Sequence, residues 1–349
     1  MATWNTDNPK IGNTIAADIP DIEENLQELH EAVGQHAPGI NMRPKFTFCE
    51  TVSYTGGGTH EVLVGDTLTG ATGGGTGVVV ALTLTSGTWA GGTAAGVLYL
   101  NTRNATAFQA EDLNEGANAN VCTIGAATVK DGIVLSPFVY HHNGTTEQLV
   151  YADLNVPFKF ANLAVFDMSY LYLDDSAIVT AGTNVITASE LIDSTTEPAW
   201  SAAKHGWYSG EDKCIFAVLT NWSSNILEFF HDGDYMAYAD DIAELASTDI
   251  DTTWTDIDVK SSIPKFTTRA ICQFYTLFGN AATESFWRTN GQSGSTGKRI
   301  AQASVGNTLV SNTIEVLSDA SQIIEVKHAA SNTSTASMKV HGWYFPSGM

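Results

Sequence analysis

The run Ala270-Ile271-Cys272-Gln273-Phe274-Tyr275-Thr276-Leu277-Phe278 is short, rich in aromatic and β-branched residues, and closed by Gly279-Asn280. A run of that kind reads as a strand. Around it lie Trp254 to Val259, Glu284 to Arg288, Asn312 to Leu317, Ile323 to His328 and Met338 to Phe345. Short strands at this spacing, with turn signals between them, predict an antiparallel β-sandwich over residues 251–349. Further upstream, Ile133 to Tyr140, Leu163 to Leu173, Cys214 to Leu219 and Ile226 to Phe230 predict a second β domain over 131–247. Between the two sets, Tyr238 to Ala246 carries a helical pattern and is expected to be a connector. His205-Gly206-Trp207-Tyr208 recurs as His341-Gly342-Trp343-Tyr344, 136 positions on (341 minus 205). The chain is therefore expected to be mainly β, with one or two antiparallel, jelly-roll-like sandwiches.

Residues 45–130 shift to Gly, Thr, Ala and Val. Thr72-Gly73-Gly74-Gly75-Thr76-Gly77-Val78-Val79-Val80 and Ala90-Gly91-Gly92-Thr93-Ala94-Ala95-Gly96-Val97-Leu98 share a Gly-Gly-Thr turn that enters an apolar strand. A second echo links Gly65-Asp66-Thr67-Leu68-Thr69-Gly70-Ala71 with Glu111-Asp112-Leu113-Asn114-Glu115-Gly116-Ala117. Stacked hairpins follow from this pattern. Neither a lysine nor a helical pattern follows the glycines, so turn chemistry outranks a nucleotide loop.

At the amino end, Ile19, Ile22, Leu26, Leu29 and Val33 are spaced 3, 4, 3, 4, which puts them on one seam of a helix over 19–34. Pro20, the acids Asp21, Glu23 and Glu24, and Gly34 suit its first turn and its stop. A helix this short is marginal alone, so the seam needs partners: either the chain's own next domain or a parallel bundle of identical chains. Residues 1–18 read as an arm, with Trp4, Pro9 and Ile11 as its anchoring groups.

The chain has 349 residues, with 38 Asp plus Glu against 16 Lys plus Arg, a formal charge of −22. Such a charge repels phosphate backbones, which argues against nucleic acid as a partner. Only 15% of residues are charged, so much of the surface must be Thr, Ser, Asn and Gly. No run approaches a bilayer span, and Met1 to Lys10 is polar, so neither membrane insertion nor general secretion is expected. Cys49, Cys122, Cys214 and Cys272 lie far apart in apolar contexts and read as buried reduced thiols.

Acidic clusters at Asp174-Asp175, Asp232 and Asp234, Asp240-Asp241, and across Asp249 to Asp258 read as solvated turns, with loop calcium or catalytic carboxylates as the sharper alternatives. His141-His142 adjoins the turn signal Asn143-Gly144 and is expected to be exposed. No His-Glu-x-x-His or Gly-x-Ser-x-Gly is present, so no catalytic residue, metal ligand or cofactor is assigned, and the chain is expected not to be an enzyme. Trp200, Trp207, Tyr208, Trp222, Trp287, Trp343 and Tyr344 are candidates for stacking on sugar rings, or for core positions. The best loop candidate is Trp287, followed by Arg288, Asn290 and Gln292 in a polar stretch ending at Lys298 and Arg299.

The opening Trp4-Asn5-Thr6-Asp7-Asn8-Pro9-Lys10-Ile11-Gly12, with Ile15-Ala16-Ala17-Asp18-Ile19-Pro20-Asp21-Ile22-Glu23-Glu24-Asn25, resembles the start of bacteriophage tail-fibre and related virion appendage proteins. Thr85-Ser86-Gly87-Thr88-Trp89 and Gly92-Thr93-Ala94-Ala95-Gly96 resemble modules of phage structural proteins. Leu171-Tyr172-Leu173-Asp174-Asp175-Ser176-Ala177-Ile178 and Val340-His341-Gly342-Trp343-Tyr344 resemble distal fibre domains. The resemblance implies a homotrimer assembled in the host cytoplasm and carried on the virion. Its amino terminus would dock on another virion protein, and its β domains would project toward a host-surface carbohydrate or protein. A collar or head fibre, a structural adaptor without receptor binding, and a polysaccharide depolymerase are the alternatives.

Overall fold

The computed structural model describes residues 41–349, apart from Gly57, Arg103, Ala105, 280–282, 295–296, 330–334 and 347–348. The arm with Trp4, Pro9 and Ile11 and the seam Ile19, Ile22, Leu26, Leu29 and Val33 lie outside the described residues. What is described is mainly β, in antiparallel sheets.

The glycine-rich part is a closed barrel rather than a stack of hairpins. Strand Phe46–Gly56 pairs with Ala95–Thr102 on one side, then the order runs Thr76–Ser86, Thr67–Gly70, Glu111–Glu115 and Asn118–Ile124. The circle closes where Tyr54, Thr55 and Gly56 meet Ile124, Thr123 and Cys122. Closure removes the exposed strand edges that an open hairpin stack would leave. Glycines allow the tight curvature: a side chain at Gly96 would run into the Thr83 carbonyl, and one at Gly56 into that of Gly92. The two echoes noted in the sequence are strand partners, Thr76–Ser86 with Ala95–Thr102 and Thr67–Gly70 with Glu111–Glu115. Tyr54, Leu68, Val79, Trp89, Leu98, Phe108 and Leu113 fill the interior. Buried Glu111 accepts from the Thr72 and Gly73 amides, both at 2.7 Å. Burial opposes its charge, but these bonds outweigh it and hold the carboxyl below its ordinary range.

The first half of Phe46–Gly56 also pairs with Val129–Leu135, which leads into two further sheets. One orders Asn41–Met42, Phe138–Asn143 and Glu147–Ala152; the other orders Leu191–Ser194, Met168–Leu173, Asp212–Leu219, Gly206–Ser209 and Ala199–Ser201. The α-helix Asp175–Ala181 follows Met168–Leu173, capped by Asp174 and stopped by Gly182 at φ 61°.

Eight later strands are numbered here in chain order: β1 Tyr235–Asp249, β2 Thr255–Asp258, β3 Arg269–Phe278, β4 Thr283–Thr289, β5 Lys298–Ala303, β6 Thr308–Leu317, β7 Ile323–His328 and β8 Thr335–Tyr344. One sheet runs β1-β8-β3-β6, with Phe229–Asp232 added outside β1; the other runs β2-β7-β4-β5. Cys272, Phe274, Met338 and Val340 of the first sheet share one buried cluster with Ile257, Trp287, Ile324 and Val326 of the second. That cluster continues through Tyr170, Phe216 and Phe266 to Phe46 and Tyr140, so the middle sheets and the last sandwich share one core.

The helical connector expected at Tyr238 to Ala246 is part of β1. Register shifts against β8 fall between Ala237 and Ile242, between Ala243 and Leu245, and between Leu245 and Thr248. These bulges insert extra residues, so Tyr238, Ile242 and Leu245 pack on the core at intervals of 4 and 3 and mimic a helical period. The four cysteines are free and buried, as the sequence implied.

Candidate functional site

Trp287 is not a loop residue. It lies in β4, 4% exposed, inside the core. Arg288 turns to the opposite face, where Nε and Nη2 donate to Glu325 at 2.7 and 2.9 Å and the guanidinium covers the Trp254 ring at 4.2 Å. Asn290 donates to Asp319 Oδ2 at 2.9 Å. Gln292 alone of the four is exposed, its amide closing the turn onto the Thr289 carbonyl. Trp287, Arg288 and Asn290 are thus knitted into the sandwich, while Gln292 and, further on, Lys298 and Arg299 face outward.

His141 and His142 flank the expected hairpin turn but are both buried, which corrects the exposed reading. Adjacent strand residues point to opposite faces, so burying both needs cover on both sides. His141 Nε2 lies 2.8 Å from Glu147 Oε1, and His142 Nε2 lies 2.9 Å from Asp175 Oδ1. Asp175 also accepts from the Thr145 amide and hydroxyl at 3.0 and 2.6 Å, tying the hairpin to the helix. Lys213 donates to the His141 carbonyl at 2.6 Å, and burial pushes its pKa down to about 7. Burial also lowers the pKa of both histidines against the pull of their carboxylates. Among the described residues no hydroxyl or thiol donates to His142 Nδ1, and no group of three or more His, Cys, Asp or Glu could hold a metal ion. The arrangement is a buried clamp that ties the hairpin to the helix and to the strand Asp212–Leu219.

The two His-Gly-Trp-Tyr copies occupy different settings, one in the short strand Gly206–Ser209 and one in β8. Their tryptophans nevertheless meet the same ring: Phe266 lies 6.4 Å from Trp207 and 5.3 Å from Trp343. Trp343 and Tyr208 are buried, Trp207 and Tyr344 half-buried, and Trp200 is exposed but leans edge-on against Trp207.

The aromatic residues best placed for recognition sit on two joined loops. Trp222 is 73% exposed and Phe166 is 67% exposed. Thr220, buried beneath them, donates to the Ala164 carbonyl at 2.6 Å and accepts from the Asp167 amide at 3.1 Å, while the Phe166 amide donates to the Asn221 carbonyl at 3.3 Å. Asn221 Oδ1 accepts from the Ser223 and Asn225 amides, so Trp222 stands on a fixed turn. Phe166 adopts φ 51°, a left-handed conformation that costs a side chain of this size about 1–2 kcal/mol. Phe166 lines a cavity of about 260 Å³ together with Asp167, Met168, Tyr170, Thr195, Glu197, Lys260 and Ser261. Hydrogen bonds fix these walls: Tyr170 Oη accepts from the Lys265 amide, Tyr172 Oη donates to the Thr196 carbonyl, and Ser261 donates to Glu244. Sequence reading named Trp222 among many aromatics and missed Phe166, whose backbone strain has no signature in its neighbours.

No family model matches the chain, and no curated protein and no solved structure is similar to it at a level that would show kinship.

Proposed function

We propose that this chain is a non-enzymatic, trimeric fibre protein of a bacteriophage virion, docked through its first 40 or so residues and presenting β domains to the host surface. The single observation that carries the attachment reading is Phe166, a large apolar ring held in a strained backbone conformation and turned into solvent beside a cavity. The strand order β1-β8-β3-β6 facing β2-β7-β4-β5 is the support for reading the last sandwich as a jelly roll, an architecture common to capsid and lectin domains. The seam Ile19, Ile22, Leu26, Leu29 and Val33 supports the trimer, and threefold repetition would let modest single sites hold a cell by avidity. The tip at Gln292 and the Phe166 and Trp222 loops are the two recognition surfaces this reading offers.

Purified full-length protein, added in excess, should block adsorption of the particle that carries it, and light scattering should give three times the chain mass. Adsorption unaffected by saturating protein, together with a strong complex with another virion protein, would favour the adaptor instead. A monomer at micromolar concentration would remove the trimer.

A further inference from the structure

We infer that the cavity beside Phe166 is a binding site for one uncharged pyranose ring at the end or branch of a surface glycan. This rests on the attachment reading above for its biological setting, while its chemistry comes from the site itself. The cavity, about 260 Å³, is below the roughly 300–1,000 Å³ of sites for drug-sized ligands and has room for a single ring. Phe166, which lines the cavity and is 67% exposed, supplies an aromatic side chain of the kind on which the C–H face of a sugar stacks.

The lining also carries two carboxylates. Asp167 is exposed and accepts from the Met168 amide through Oδ1, and Glu197 makes no hydrogen bond among the described residues. Carboxylate oxygens that only accept suit hydroxyl donors of a sugar. The one cation at the cavity, Lys260, is paired with Asp258 at 2.6 Å, so the local field stays negative, as does the chain at −22. Uronates, sialylated glycans and phosphate-bearing polymers would meet unpaired like charge, which costs binding and excludes them. The walls are already held by Thr220, Tyr170 and Tyr172, so little ordering is left for the ligand to impose.

The test uses the full chain and two oligosaccharide panels, neutral (gluco-, galacto- and N-acetylglucosamine oligomers) and uronate, with binding read by calorimetry. The variants are Phe166→Gly, which frees the strained backbone, and Glu197→Gln. The expected result is saturable binding of a neutral oligomer, weakened at least tenfold by Phe166→Gly and measurably by Glu197→Gln, with a melting temperature for Phe166→Gly equal to or above wild type. Binding confined to uronates, or neutral binding unchanged in both variants, overturns the inference. Cell adsorption separates it from the attachment reading. If Phe166→Gly adsorbs normally and no neutral oligomer binds, the site is wrong and attachment lies elsewhere on the fibre. If a neutral oligomer binds through Phe166 while wild-type protein adsorbs to no host cell, the site stands and host attachment falls.

Discussion

Acidification from pH 7 should loosen the junction between the barrel strand and the last sandwich through His231. Its Nδ1 lies 3.0 Å from the Phe46 amide and so must accept, and its Nε2 lies 3.0 Å from the Gly233 carbonyl and so must donate. That pair of bonds demands the neutral ring. The imidazole sits among Phe46, Phe216 and Phe345, with Arg43 nearby bonding Asp234 and the Met349 carbonyl. Burial first, and the Arg43 charge second, push its pKa from 6.5 down to about 4. Because the unfolded chain binds this proton more tightly, the contribution is fully present above pH 6.5 and is lost as pH falls toward 4. At about 1.4 kcal/mol per unit, the full window amounts to about 3 kcal/mol. His141, His142 and His328 are shifted in the same direction, so the comparison needs a partner that keeps them. His231→Gln supplies an amide that can accept from Phe46 and donate to Gly233 without titrating. Urea midpoints by tryptophan fluorescence at half-unit steps between pH 7.5 and 4.5 should fall more steeply for wild type than for His231→Gln. Parallel slopes would refute the neutral-histidine junction.

Trp343→Ala, which empties the contact among Phe216, Phe266 and Phe345, should cost about 3–5 kcal/mol in urea unfolding, and a Phe266→Ala double-mutant cycle should show strong coupling. Thr220→Val removes a buried hydroxyl that bonds Ala164 and Asp167, and should cost about 1–3 kcal/mol while raising hydrogen exchange at the Phe166 amide. Lys213, with a folded pKa near 7 against 10.5 unfolded, makes stability rise with pH between those values. Lys213→Met should therefore show a flatter or more negative stability slope than wild type between pH 7 and 9, and equal slopes would contradict the buried neutral amine.

The strands were legible because their inward residues alternate and their ends carry turn chemistry. The sequence run Ile323 to His328 is β7 without change, and Ala270 to Phe278 differs from β3 by one residue. Barrel closure was not legible: it depends on three residues at the end of Phe46–Gly56 finding Asn118–Ile124, a long-range pairing with no local mark. Trp287 was misplaced although a signal existed. Glu284 and Arg288 sit in step with each other and out of step with Trp287, and period-two alternation puts the tryptophan inward if the charges face out. His141-His142 could not be placed that way, since Asn143-Gly144 marks the turn but says nothing about what covers the strand before it. For β1 the bulges supplied a false period, and tertiary pairing overrode it.

Phe166 shows why the recognition surface proposed for this chain is the hardest part to read from its sequence. A left-handed backbone is announced by Gly or Asn where folding alone selects the residue, as at Gly182 after the helix. At Phe166 the residue type contradicts the conformation, and the bonds from Thr220 and Asn221 hold it there from more than 50 positions away. The strain of about 1–2 kcal/mol is therefore borne by neighbours chosen for it and cannot be recovered by collapse, because the ring faces water. Backbone preference and burial both argue against a phenylalanine there, and that conflict is the observation on which the proposed recognition role rests. Trp287 is the opposite case, a ring on ordinary strand backbone whose burial in the sandwich is stabilising by itself, whereas the strain at Phe166 is opposed within the chain by the hydrogen bonds that hold its loop.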